Sequence, residues 1–378
     1  MDSVLVYGSY GYTGRLVTRE AVARGVRPIV AGRDDARVTQ QATALGLEGR
    51  TFDLAVPDAI EPHLADVDCV LNCAGPFTAT ATPMVEACLE TETDYLDVTG
   101  EFAVVERLRR RNRAARDAGV TVLPAVGYEV VPSDCLVTWL TERCPGADEL
   151  TLGVRGSPLV SPGTARTLLD LCDEGVVRRN GRLVRVPPAF RSREIDFGDG
   201  PEYAITAPWP DVVTAAHGTD LETVEAYVAV PDVARPAVGL SGVAAWLAGR
   251  EPVRRLLERA IDAAVDGPDE RQLATDETVI WAEVRDSTTG HRVSGRVRTP
   301  NPYALTTESA VTAAERVLAG EVDAGFQTPA TAFGADFVTD LTGIERRLED
   351  DWRPPSLEES EKSRALEREG RRAVDASD

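Results

Sequence analysis

Gly8-Ser9-Tyr10-Gly11-Tyr12-Thr13-Gly14 follows the apolar run Val4-Leu5-Val6-Tyr7 and opens an amphipathic stretch through Leu16, Val17 and Ala21. Three glycines at this spacing, between a strand and a helix, suit the pyrophosphate of a dinucleotide. Gly8 permits a tight turn, Gly11 lets the backbone approach the phosphates, and Gly14 lets helix and strand pack closely, while the helix N-terminus stabilises the anion. The loop side chains Tyr10, Tyr12 and Thr13 are placed beside the cofactor.

An NAD-selective site ends its second strand in a carboxylate for the ribose 2′-hydroxyl, whereas this strand ends Ile29-Val30-Ala31-Gly32-Arg33. Arg33 is suited to pair with a 2′-phosphate, so NADP(H) is the expected cofactor and NAD the less favoured one. Asp34 and Asp35 follow at once and weigh the other way. Asp53 and Asn72, at the ends of the third and fourth strands, fall on the same edge and are assigned to the cofactor site. In Cys69-Val70-Leu71-Asn72-Cys73-Ala74-Gly75-Pro76-Phe77 the small residues Ala74, Gly75 and Pro76 let backbone lie against the nicotinamide half.

Two further segments bring polar groups to that edge, Asp94-Tyr95-Leu96-Asp97-Val98-Thr99-Gly100-Glu101 and Gly127-Tyr128-Glu129-Val130-Val131-Pro132-Ser133-Asp134. Asp97, Glu101, Tyr128 and Glu129 are the candidates to position a substrate or donate a proton, against a structural role for each. Ser133 and Asp134 also fit a helix cap. Other chemistries lack their residues. Lys362 is the only lysine, which removes Schiff-base catalysis, a P-loop and a Tyr-x-x-x-Lys pair. The six cysteines form no Cys-x-x-Cys pair and the three histidines are scattered, so no metal site is expected.

The elements that must carry these residues are six short strands, Val4–Tyr7, Pro28–Ala31, Thr51–Asp53, Cys69–Asn72, Tyr95–Val98 and Thr121–Ala125, with helices between most of them. That alternation predicts an α/β fold, a Rossmann-type doubly wound parallel sheet with ligands at its carboxyl ends. Beyond about residue 135 hairpin signals take over, at Asn180-Gly181 and at Asp286–Gly290, and predict a second α+β domain with a largely antiparallel sheet. A helix is expected over Thr306–Ala319, capped by Thr306 or Thr307. Ala237–Gly249 and Val253–Val265 read as a core helix pair or as a wall for an apolar substrate. The expected division is 1–135 with 306–350 as the nucleotide-binding domain, 136–305 as the substrate domain, and 351–378 as a charged, partly disordered tail.

Charge and size narrow the partners. A formal net charge of -21 with a single lysine resembles proteins that work in multimolar salt, where repulsion between carboxylates is screened within about 3 Å. Such a charge argues against nucleic acid, and the run Arg107 to Arg116 reads as the solvated face of an amphipathic helix. No apolar run approaches the roughly 20 residues of a transmembrane helix, and the start Met1-Asp2-Ser3-Val4 lacks a secretory leader, so a cytoplasmic location is expected. The oligomeric state stays open, a homodimer included.

Taken together, Gly11–Gly14, Ala31–Arg33, Ala74–Phe77, Asp94–Glu101, Pro132–Asp134 and Thr328–Ala330 resemble, in order, the motifs of the saccharopine dehydrogenase-like superfamily. The resemblance is to the branch that includes trans-acting enoyl reductases and the animal saccharopine dehydrogenase-like oxidoreductases. The chain departs from the branch on the substrate side, with Ser161-Pro162-Gly163-Thr164 in place of Gly-Gly-Thr and Tyr128-Glu129-Val130 in place of Phe-Asp-Ser. The resemblance implies that the late helices, Thr306–Ala319 and Pro329–Leu341, return to the nucleotide-binding domain. It also implies hydride transfer from NADPH to a polarised double bond of a small, hydrophobic substrate, an enoyl C=C ahead of C=N or C=O. Turnover of saccharopine itself is disfavoured, because no dicarboxylate site or catalytic lysine is found. The competing reading is a non-catalytic NADP-binding protein at lipid surfaces or partners.

Overall fold

The computed structural model describes residues 3–56, 59–156, 175–231 and 276–353, together with the isolated positions 235, 271 and 273. Ser161–Thr164, Ala237–Gly249, Val253–Val265 and the tail beyond residue 353 lie outside the described residues.

Strands β1 (Val4–Tyr7), β2 (Ile29–Gly32), β3 (Gly49–Thr51), β4 (Cys69–Asn72), β5 (Asp94–Asp97) and β6 (Thr121–Leu123) form a parallel sheet in the order β6-β5-β4-β1-β2-β3, and the two-residue strand Gly325–Phe326 extends it beside β6. β1 and β4 are buried at every position, as apolar strands covered on both faces must be. The connecting helices are α1 (Tyr12–Ala23), α2 (Asp35–Leu45), α3 (Phe77–Thr91), and α4 (Phe102–Arg109) with α5 (Asn112–Ala118). Chain order reverses between β1 and β4, so the glycine loop after β1 and the turn after β4 share one crevice.

Helix α6 (Val131–Thr141) leaves this sheet and runs across the expected boundary at residue 135 onto the second sheet, packing against two of its strands. The second sheet contains β7 (Glu149–Arg155), β8 (Gly175–Arg179), β9 (Arg182–Val186), β10 (Ser192–Asp196), β11 (Pro201–Thr206), β12 (Thr223–Ala229), β13 (Glu277–Arg285) and β14 (Arg292–Pro300). It is mostly antiparallel, with the β12–β7 pair parallel. Both expected hairpins form, and Asn180-Gly181 joins β8 to β9 with both residues at positive φ, as a two-residue turn of the primed type requires. An eight-residue strand, Glu345–Trp352, pairs along β14. Residues 345–350 therefore belong to the second sheet, not to the nucleotide-binding domain.

Two late elements differ from expectation. The returning helix spans Pro302–Leu318, four residues earlier than expected, and packs on α1 and β4. Asn301 caps it by accepting from the Tyr303 amide at 2.9 Å, and Pro302 occupies its first position, where a missing N–H costs nothing. Thr306 instead accepts from the Tyr128 amide at 3.0 Å and so ties that helix to the loop after β6. In place of a helix over Pro329–Leu341 there is a short helix, Pro329–Phe333, and a 3-10 turn, Phe337–Asp340.

Ser133 and Asp134 lie inside the first turn of α6 and do not cap it. Asp134 accepts from the Ala330 amide at 2.7 Å, capping the Pro329–Phe333 helix from a distance, and Ser133 donates to Asp211 at 3.0 Å. The other Asp211 carboxylate oxygen is buried without a partner among the described residues. Burial, with Asp134 nearby, holds the Asp211 carboxyl well above the usual range. A raised carboxyl favours the fold while neutral, and the fold loses that stability as pH climbs from about 4 through the folded value. Asp211→Asn, which cannot ionise, should therefore raise the thermal midpoint, with a gain that grows from pH 5 to pH 8. A midpoint that falls, or a gain independent of pH, would contradict this.

Candidate active site and cofactor site

The glycine loop is shaped as its spacing implies. Gly8 adopts φ +75°, and a Cβ there would sit 2.8 Å from the Cβ of Ala74 in the turn after β4. A Cβ on Gly14 would approach the Gly8 carbonyl oxygen to 2.2 Å, so only glycine lets α1 lie this close to the end of β1. Gly11 precedes α1 and offers no side chain to its first amides. That leaves a helix N-terminus able to receive an anion beside the loop. Thr13 lies in the first turn, and Tyr12 meets Tyr303 of the returning helix edge-on at 5.0 Å.

Arg33 is exposed directly after β2 and has no carboxylate partner among the described residues. The two aspartates behind it face elsewhere. Asp34 caps α2 by accepting from the Arg37 amide at 3.1 Å, and Asp35 accepts from the Thr51 hydroxyl at 3.1 Å. Tyr10 folds across the same strand end, its hydroxyl accepting from the Asp34 amide at 3.2 Å. Asp53 is exposed after β3 and folds into a local turn, accepting from the Ala55 amide at 2.9 Å.

At the turn after β4 and the neighbouring strand ends the side chains divide by what they touch. Asn72 is buried; it accepts from the Ala74 amide at 3.0 Å and donates to the Tyr95 hydroxyl at 3.3 Å. Its side chain shapes the turn, and the exposed Gly75 and Pro76 present the surface. Asp97, expected among the catalytic candidates, has both oxygens occupied: one accepts from the Thr99 and Ala125 amides at 3.0 and 2.8 Å, the other from the Tyr95 hydroxyl at 2.7 Å. Burial pushes its carboxyl up to about 6, but it serves as a tie between β5 and β6. Glu101 likewise accepts from the Phe77 and Thr78 amides at 2.8 and 3.0 Å, neutralising the start of α3.

Tyr128 and Glu129 stand differently. The Tyr128 ring is buried, and its hydroxyl, on the side of Thr278 of the second sheet, has no partner within hydrogen-bonding geometry among the described residues. Burial raises it above the usual range for a phenol. Glu129 is half-buried at the carboxyl end of β6, packed so closely on Gly100 that a Cβ there would lie 2.8 Å from its Cγ. Its carboxylate has no side-chain partner among the described residues, and burial pushes it up to about 6. The Trp209 indole donates to the Glu129 carbonyl at 2.9 Å, so the second domain fixes the loop that carries this acid. Trp209 was not singled out from sequence; the only signal is a tryptophan set between Pro208 and Pro210.

No three His, Cys, Asp or Glu side chains gather as a metal would need among the described residues, and no helix there is long and apolar enough to cross a membrane. The arginine run carries its own partners: Arg109 and Arg110 pair with Glu106, and Arg111 with Glu86.

Residues 4–123, which contain the loop, the Arg33 strand end and the Ala74–Pro76 turn, match the family model of the saccharopine dehydrogenase NADP binding domain. That stretch, about a third of the chain, is similar to the NADP-binding domain of saccharopine dehydrogenases. Among similar proteins, a Mycobacterium tuberculosis protein provisionally named a trans-acting enoyl reductase is 34% identical over 159 residues, which is 39% of this chain and 38% of that protein. A trans-acting enoyl reductase of Mycobacterium leprae is 32% identical over 149 residues, 37% of this chain and 35% of that protein. The chain thus spans well under half the length of the curated relatives it matches. The fold is that of an apo saccharopine dehydrogenase (L-Glu forming) from Saccharomyces cerevisiae, at TM-score 0.59 and 13% identity over 93% of this chain and 100% of that one.

Proposed function

We propose that this chain is a member of the saccharopine dehydrogenase-like superfamily and an NADP-dependent oxidoreductase that reduces a polarised double bond, an enoyl C=C in preference to C=N or C=O. The observation that carries the reading is Glu129, a carboxyl that burial pushes up to about 6, packed on Gly100 with no side-chain partner among the described residues. Of the four catalytic candidates, Asp97 and Glu101 are spent on backbone amides and Tyr128 is enclosed between the sheets.

The NADP reading is supported by a glycine loop in which Gly8 and Gly14 let the Ala74 turn and α1 pack close to the end of β1, and by Arg33, exposed after β2 beside carboxylates that are hydrogen-bonded elsewhere. When bound, NADPH supplies the hydride. The protein supplies orientation and the proton. Glu129, protonated, donates to the atom of the double bond that does not receive hydride, and regains its proton from solvent through its own partly exposed side chain. Because the acid form does the work, reduction should slow about tenfold per pH unit above the Glu129 value of about 6. The test is NADPH oxidation with enoyl thioesters beside saccharopine and related imines. Turnover of the amino-acid set alone would contradict the proposal.

The proposed working environment is concentrated salt. With 62 acidic residues against 41 basic ones, thermal unfolding should move upward between low and multimolar potassium chloride. An unchanged midpoint would remove that reading.

A further inference from the structure

We propose that Arg37 is the second cation of the 2′-phosphate site, held ready on the face of Tyr10, and that it shares with Arg33 the discrimination between NADP(H) and NAD(H). The inference rests on the NADP reading of the β2 strand end and adds a residue and a positioning device to it. Tyr10 is wedged over Gly32: a Cβ on Gly32 would lie 2.4 Å from the tyrosine Cε1. With its hydroxyl bound to the Asp34 amide, the ring has a fixed orientation across the end of β2. The Arg37 guanidinium lies 5.3 Å from the centre of that ring, within cation–π range.

The carboxylates that could neutralise Arg37 are committed elsewhere. Asp34 is engaged by the Arg37 backbone amide, and Asp35 by Thr51. Among the described residues no carboxylate pairs with either Arg33 or Arg37. Two guanidinium groups therefore stand at one strand end, one on the connecting loop and one on the first turn of α2. A ring that parks the Arg37 side chain lowers the entropy lost when the guanidinium engages an anion. The ligand chemistry that this arrangement fits is a phosphomonoester on a ribose, contacted from two sides.

The test is calorimetric titration with 2′,5′-ADP and with 5′-AMP at one fixed potassium chloride concentration, using the wild type, Arg37→Ala, Arg37→Gln and Arg33→Ala. Both Arg37 variants should bind 2′,5′-ADP about tenfold more weakly, the size of one lost charge-assisted contact, with 5′-AMP unchanged. Equal weakening of both nucleotides would mean that Arg37 only supports the loop and would overturn the proposal. So would an unchanged 2′,5′-ADP affinity in the Arg37 variants when Arg33→Ala loses it. If the wild type itself fails to prefer 2′,5′-ADP, the NADP reading falls and takes this proposal with it.

Discussion

Glu129→Gln lowers the rate of acceptor reduction by about 10²–10⁴-fold, the usual worth of a positioned general acid, while NADPH affinity is retained. The substitution is nearly isosteric, and the contact that fixes the loop, Trp209 to the Glu129 carbonyl, involves backbone and survives it. Gly100 still accepts the side chain at the same spacing. The decline in rate above pH about 6 should vanish in the variant, since the titrating group is gone. A variant that keeps wild-type turnover and pH dependence would move the proton donor elsewhere. Parallel loss of cofactor affinity would make Glu129 a binding residue.

Arg33→Ala weakens NADPH by about tenfold to a hundredfold and leaves NADH nearly unchanged. A charge-assisted contact to phosphate is worth roughly 1.5–3 kcal/mol, and Arg33 is exposed, so the loss should shrink as salt screens it. The geometry strengthens the case that Asp34 and Asp35 appeared to oppose: both carboxylates have local hydrogen-bonding work and neither pairs with Arg33. Equal losses for both cofactors in a fluorescence titration would make Arg33 a support for the loop, and no loss for either would make it a surface residue.

The nucleotide-binding sheet was legible because its strands are short, apolar and punctuated by glycine turns, so each announces itself within a few residues. The strand Glu345–Trp352 was not, because it is an exposed edge of charged residues with no apolar alternation to mark it. The start at Pro302 was marked by an Asn-Pro pair that threonines further along obscured. For the site residues the obstacle was distance. Asp97 and Glu101 look like Glu129 in sequence, and what removes them as acids is a set of amides that includes Ala125, Phe77 and Thr78, 28, 24 and 23 positions away. Glu129 stands out only once those partners are assigned.

Transfer of deuterium from NADPH labelled on the reactive face of C4 tests the central claim most directly. With an enoyl thioester in ordinary water, each NADPH oxidised should place one deuterium on one carbon of the former double bond and a solvent-derived hydrogen on the other. NADPH consumption without label in the product, or no consumption with any C=C, C=N or C=O acceptor, would contradict hydride transfer as the function of this fold.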